Sequence, residues 1–300
     1  MLSMLPGKNL LQLWILHTTF VFLRKNAMDF NIKLKSGQIL RGMLHSPGEN
    51  TKAVVILVHG LGEHVNRYNK WAAMFSREGI GFAGVDLPGH GKSDGKRGNI
   101  KNYDTLFEMI DILLNSCRKT FPGTPLFLYG HSLGGGIVLN YLLHKNPKIK
   151  GAIITSPWCR LSFEPSRGKV LLASVMKSLL PGLTQPSGLV VDHISHDAAV
   201  VEEYRKDPLV HDKISVGLFH SAMNAATYSI NHANGLKVNT LLIHGSEDMI
   251  CSPEGSREFA SKTSLAELKI WEGGFHELHN EPFREEVFTF MMTWINNQIG

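Results

Sequence analysis

Cysteine is scarce in this chain. Cys117, Cys159 and Cys251 are the only three in 300 residues, and none stands in a CxxC pair. An odd, scattered set gives no disulfide framework and no zinc site, and it fits a reducing compartment. A membrane-spanning run is missing too. The apolar segment 10-LLQLWILHTTFVFL-23 is interrupted by His17, Thr18 and Thr19, and it falls short of the ~20 residues that cross a bilayer. The following 24-RKNAM-28 is a poor signal-peptidase site. Three readings compete for residues 1–27: a membrane-surface anchor, a degenerate signal peptide, or leader upstream of a start at Met28. The last is preferred, because strand-like alternation begins just afterwards in 29-DFNIKLKSGQILRGMLHSP-47.

Strong charge bias is also absent. The net charge is +5, but residues 1–27 hold Lys8, Arg24 and Lys25 and no acid, which leaves only +2 for the rest. No basic stripe interleaves with aromatics, which argues against nucleic acid as a partner. There is no internal repeat and no low-complexity tract. The remaining composition, 43% hydrophobic and 19% charged, is that of a globular chain long enough to bury a sizeable core.

What the chain does have is rhythm. Residues 30–44 read as a hairpin turning at Ser36-Gly37. Short apolar runs follow at 53–59, 80–86, 125–130, 150–156, 238–245 and 265–271. Most are rich in β-branched or aromatic residues without polar alternation, as strands buried on both faces are. Helical patterns lie between them at about 68–78, 103–119, 134–145, 253–262 and 282–297. Strand alternating with helix predicts an α/β fold with a mostly parallel, doubly wound sheet. The rhythm stops over 157–235, a stretch broken by Pro165, Pro181, Pro186 and Pro208. Because strands resume afterwards, this stretch is expected to be a helical cap (lid) inserted into a core made of 28–156 and 236–300.

The chemistry centres on 130-GHSLG-134. A strand that turns sharply into a helix forces the residue at the turn into a strained backbone. Side chains two positions away would clash, so glycines flank it. The turn lifts the Ser132 hydroxyl above the sheet edge at a helix N-terminus, where N–H groups favour a developing oxyanion. A second donor is expected from 58-VHGLGEH-64, which places the oxyanion hole at the backbone N–H groups of Leu61 and Leu133. A serine hydroxyl needs a histidine base, and the base needs a carboxylate. In the chain order Ser, acid, His, the loop 245-GSEDMICSPEG-255 offers Asp248, with Glu247 as its rival. The loop 272-EGGFHELHNEP-282 offers His276 and His279, of which His276 lies nearer the strand end.

Other motifs fall away. The dinucleotide pattern GxGxxG lacks its third glycine, since Arg67 stands there. The GKS of 86-DLPGHGKSDG-95 lacks the glycine of a P-loop, since Asp86 occupies that place. A turn built on Asp86, His90 and Ser93 is the better reading. The pair His193 and His196 has metal-ligand spacing but no further ligand cluster, so no metal is expected. The segment 170-VLLASVMKSLLPGL-183 is amphipathic at helical spacing. It suits either packing on the core or an apolar rim for acyl chains and lipid surfaces, with Met176 and Leu179 as pocket candidates.

The segments 59-HGLGEH-64, 86-DLPGHGKSDGKRG-98, 130-GHSLGGG-136, 207-DPLV-210, 245-GSEDMICSPEG-255 and 273-GGFHELHNE-281 together resemble the monoacylglycerol lipase and lysophospholipase group of serine α/β-hydrolases, over about residues 30–299. The resemblance implies an α/β-hydrolase fold and Ser132, Asp248 and His276 as the triad. It implies a polar network of Glu63, Arg67 and His279 bracing the oxyanion loop, and Cys251 lining the pocket. The expected reaction is hydrolysis of a carboxylic ester of a lipid, above all a monoacylglycerol to fatty acid and glycerol, through an acyl-enzyme and without cofactor. A lysophospholipase, a general carboxylesterase and a non-catalytic module for a small apolar ligand are the alternatives. The expected setting is cytoplasmic, with transient membrane-surface contact through the cap.

Overall fold

Alternating and β-branched residues build the sheet. In the computed structural model, which describes residues 27–48, 50–163 and 179–300, the first hairpin pairs β1 (Ala27–Lys33) with β2 (Ile39–His45) antiparallel. Its turn uses Gly37 at φ 90°. The chain continues with β3 (Ala53–Val58), β4 (Ile80–Val85), β5 (Leu126–His131), β6 (Gly151–Thr155), a small hairpin of β7 (Thr184–Pro186) and β8 (Lys213–Ser215), then β9 (Thr240–Gly245) and β10 (Ala266–Trp271). Eight strands form one sheet in the order β1-β2-β4-β3-β5-β6-β9-β10. Beyond the β2–β4 pair, every pairing is parallel.

Helices cover both faces. α1 (Asn69–Arg77) and α7 (Arg284–Ile299) lie on one face, through Trp71, Phe75, Phe288 and Met291. The other face carries α2 (Tyr103–Thr120), α3 (Leu133–Lys145), α5 (Val216–Asn231) and α6 (Pro253–Ala260). β3 shows why its run lacks polar alternation. Val54, Ile56 and Val58 face one helical layer while Ala53, Val55 and Leu57 face the other, and all are fully buried. Truncating a large side chain in such a layer, Phe75→Ala for example, costs about 3–5 kcal/mol. Helix ends follow their caps: the Asn102 side chain accepts from the Thr105 N–H at 3.0 Å at the start of α2, and Ser252 with Pro253 starts α6.

Between β6 and β9 the described residues hold the β7–β8 hairpin, α4 (Ala198–Lys206) and α5. The hairpin has no counterpart in the sequence reading, because each of its strands has only three residues. α5 lies on α3, with the Asn140 side chain donating to the Ala225 carbonyl. Most of the amphipathic stretch 170–183, Met176 included, is outside the described residues. Leu179 is described and is 70% exposed. It therefore belongs to a surface patch rather than to a pocket wall, contrary to the expectation from its spacing.

The parallel strands all end at the same sheet edge. Loops following β3, β5, β6, β9 and β10 therefore gather there, at the end where open α/β sheets place their ligands.

Candidate active site

Ser132 caps β5 and opens α3 at φ 55° and ψ −119°. A non-glycine residue at positive φ is strained, by about 1–3 kcal/mol, and persists only where its surroundings dictate it. Here they do. A β-carbon at Gly130 would sit 2.7 Å from the Gly134 carbonyl oxygen, and one at Gly134 would collide with the Val58 carbonyl. Both neighbours of the turn must therefore be glycine. The turn is pinned further by the Ser132 N–H donating to Thr155 O at 3.0 Å and by the Ser132 carbonyl accepting from Trp158 N–H at 2.9 Å.

The loops from β9 and β10 bring the partners. The Ser132 hydroxyl meets His276 Nε2 at 2.9 Å, and His276 Nδ1 meets Asp248 Oδ2 at 2.7 Å. Asp248 Oδ1 accepts the N–H groups of Ile250 at 2.8 Å and Cys251 at 2.9 Å, so the carboxylate is held by its own loop. Among the described residues, it is Asp248 and not its rival Glu247 that meets His276. Burial would lower the His276 pKa, but the charge and hydrogen bond of Asp248 outweigh it, and the net direction is up. Burial would raise Asp248, yet His276 and the hydrogen bond from His244 hold it well below the usual carboxylate range. The pair is thus set to stabilise an imidazolium.

Gly60 packs against the elbow: a β-carbon there would come within 3.2 Å of the Ser132 Cβ. Its N–H donates to Glu63 Oε1 at 2.6 Å, and the same oxygen accepts the Tyr68 hydroxyl at 2.9 Å. Arg67 donates to Glu63 at 2.8 Å and forms a bidentate pair with Glu277 at 2.6 and 2.7 Å. All three side chains are nearly inaccessible. Burial would raise the Glu277 carboxyl, but Arg67 brings it down to about 2. Burial and the neighbouring Glu277 charge push Glu63 up, against the pull of Arg67. Leu61 lies between Gly60 and Gly62. Leu133 is the first residue of α3, where helix geometry leaves the N–H without an intrahelical acceptor.

His279 is placed differently from the expectation. It stacks on Tyr68 at 4.6 Å and meets His131 edge-on at 4.9 Å. Neither ring nitrogen has a hydrogen-bond partner among the described residues. Glu277 occupies the place in the Arg67 network that the resemblance gave to His279. Cys251 is buried with its thiol beside the Ser132 hydroxyl. Burial, then the Asp248 charge, push that thiol far above its ordinary value, so it is no thiolate nucleophile.

Three further residues escaped the sequence reading. His244 touches Asp248 at 3.1 Å and donates to the Cys251 carbonyl at 2.9 Å. Ser156 at the end of β6 holds the His276 main chain. Glu277 sits beside His276 in sequence, and only that adjacency could have flagged it. The turn of Asp86, His90 and Ser93 forms as read: Asp86 accepts from Val65 and Lys92 N–H groups at 2.8 and 2.7 Å, and Ser93 donates to the Asp86 carbonyl at 2.7 Å.

Comparison with known proteins agrees with this geometry. Residues 49–283 match the family described as "Serine aminopeptidase, S33". The chain is 30% identical over 253 residues to the monoacylglycerol lipase of Mycolicibacterium smegmatis, covering 83% of this chain and 90% of that protein. It is 34% identical over 251 residues to an uncharacterized abhydrolase domain-containing protein of Dictyostelium discoideum, covering 82% of this chain but only 26% of that longer protein. The crystal structure of Paleococcus ferrophilus monoacylglycerol lipase superimposes with a TM-score of 0.79 at 33% identity, covering 86% of this chain and 99% of that one.

Proposed function

We propose that this chain, which belongs to the serine aminopeptidase S33 family and within it to the monoacylglycerol lipase and lysophospholipase group of serine α/β-hydrolases, hydrolyses the ester bond of monoacylglycerols. The observation that carries the reading is the Ser132–His276–Asp248 relay, closed by contacts of 2.9 and 2.7 Å at the strained turn.

Ser132 attacks the ester carbonyl while His276 Nε2 takes its proton. Asp248 keeps the Nδ1 proton on its own side and stabilises the imidazolium, without itself becoming protonated. The oxyanion is received by the N–H groups of Leu61 and Leu133, the first presented by a loop that Glu63 fixes and the second by the start of α3. Preorganised donors of this kind contribute about 10²–10³ each in kcat. His276 then gives its proton to the leaving alcohol. Water, deprotonated by the same nitrogen, releases the fatty acid and regenerates Ser132. The buried Glu63, Arg67 and Glu277 hold the oxyanion loop by hydrogen bonds already made before substrate arrives. Cys251 lines the pocket next to the nucleophile.

The stretch 157–235 serves as the cap. Leu179, Leu180, Leu183 and Val190 are 70, 54, 46 and 48% exposed, a set of apolar side chains suited to a lipid surface. No described helix is long and apolar enough to cross a membrane. Contact with lipid is assigned to this exposed apolar rim, as a transient peripheral one.

A panel of glycerol mono-, di- and triesters beside lysophospholipid tests the reading. The highest kcat/KM is expected on the monoester, and none should remain in Ser132→Ala. Preference for lysophospholipid would move the assignment to the other activity of the group. Absence of turnover on every ester would remove it.

A further inference from the structure

We propose that the segment of the insertion from Tyr204 to His211 sets the oxyanion loop in its working shape, with Asp207 as a positioning residue that acts through His64. The proposal rests on the assignment of Leu61 to the oxyanion hole.

Leu61 lies between two glycines, so local sterics do little to orient its amide. Two hydrogen bonds do it instead, one on each side. On the core side, the Gly60 N–H is tied to Glu63. On the other side, the Gly62 carbonyl accepts from the His211 N–H at 2.9 Å. The approach there is close: Gly62 has φ +79°, and a β-carbon on it would strike the His211 carbonyl oxygen. Gly62 is thus glycine for two reasons, its positive φ and this close approach, and the second depends on the insertion's main chain being where it is.

Asp207 holds that main chain in place. His64 Nε2 donates to Asp207 Oδ2 at 2.7 Å, with the histidine side chain 5% exposed. The second carboxylate oxygen accepts the Leu209 N–H at 2.8 Å, which locks the turn leading to His211. Tyr204 adds a third contact: its ring lies 4.6 Å from the Arg67 guanidinium, the same cation that grips Glu63. The stretch that leads into α4 and this segment is anchored as well. The Ile194 carbonyl accepts from the Glu277 N–H at 2.7 Å, and the Ser195 hydroxyl donates to the Asn280 carbonyl at 2.9 Å. α4 therefore runs as a strut from the histidine-bearing loop to the oxyanion loop. The carboxylate and the loop it serves are 143 residues apart from His64 to Asp207, so the insertion carries part of the catalytic geometry as well as the rim.

The test separates oxyanion binding from general pocket integrity. A trifluoromethyl ketone analogue of the substrate adds the Ser132 oxygen to its carbonyl carbon, passes the hydroxyl proton to His276 and leaves an oxyanion in the hole. The matching secondary alcohol binds without forming one. Asp207→Ala is expected to lower kcat about tenfold with KM little changed. Ketone affinity should fall by a similar factor, while alcohol affinity stays. Asp207→Asn, which keeps one acceptor oxygen where the carboxylate offers two, should recover part of both. His64→Phe breaks the same bond from the other side, so a poorly folding alanine variant does not decide the matter. Unchanged ketone affinity in a folded Asp207→Ala or His64→Phe variant overturns the proposal, and so does an equal loss for ketone and alcohol. Failure of the wild-type chain to bind the ketone overturns the hydrolase reading instead.

Discussion

The hydroxyl of Ser156 donates to the main-chain carbonyl of His276 across 2.8 Å. Ser156 directly follows the last residue of β6. Its own N–H is fixed to the Ile243 carbonyl at 2.9 Å, and its φ is 45°. The loop that brings the histidine to the nucleophile is thus held from the sheet, by a residue that has no part in the chemistry.

Removing that hydroxyl leaves a buried carbonyl without its donor. Ser156→Ala is expected to cost about 1–3 kcal/mol in stability, read as a lower urea midpoint at unchanged slope. It should also lower kcat by about tenfold with little effect on KM, because the base loses its fixed position. Steady-state kinetics beside urea unfolding measure both.

Arg67 neutralises two buried carboxylates at once. Arg67→Met leaves Glu63 and Glu277 uncompensated and should destabilise by about 3–5 kcal/mol at pH 7. Without the cation, both carboxyls titrate above their unfolded values. The penalty is then present at high pH and lessens as the pH falls and they take up protons. The stability gap between Arg67→Met and wild type is expected to be smaller at pH 5 than at pH 7 by urea unfolding. A gap that widens in acid would contradict the charge assignment.

His276 must be neutral to act as base, and its pKa lies above the ordinary histidine value because of Asp248. The acid limb of kcat/KM should therefore have its midpoint above ~6.5. Asp248→Asn removes the raising charge. The midpoint should shift to lower pH, while kcat falls by about 10⁴ because the tautomer is wrong. A pH–rate profile of the two enzymes reads the shift.

His90 is fully buried, and its pKa is pushed down to about 3, chiefly by burial and next by the neighbouring His211. A group lowered from an unfolded value near 6.5 binds more protons in the unfolded chain. Stability is then lost as the pH falls between those two values, at about 1.4 kcal/mol per pH unit. His90→Asn should flatten this limb. Urea midpoints at pH 7, 6 and 5 give the slope.

Much of this was legible in the chain. The parallel strands announce themselves as apolar runs because both their faces are buried. The elbow does so because Gly130 and Gly134 leave no room for a side chain. Asp248 and His276 follow from their places after β9 and β10. Other parts carry no local mark. The Arg67–Glu277 pair joins residues 210 positions apart, and neither side betrays the other. The three-residue strands of the β7–β8 hairpin are too short for a period. Leu179 has the spacing of a packed helix face yet stands exposed, since periodicity reveals an apolar face without naming what covers it. His279 had the right loop and the wrong orientation: it stacks on Tyr68 while Glu277 reaches the arginine.

Reaction with a fluorophosphonate ester followed by peptide mapping tests Ser132 as the nucleophile. One adduct is expected, on Ser132, with monoacylglycerol hydrolysis lost in proportion to labelling and with no adduct in Ser132→Ala. An adduct on another residue, or a Ser132→Ala variant that keeps near-normal turnover, would contradict that role.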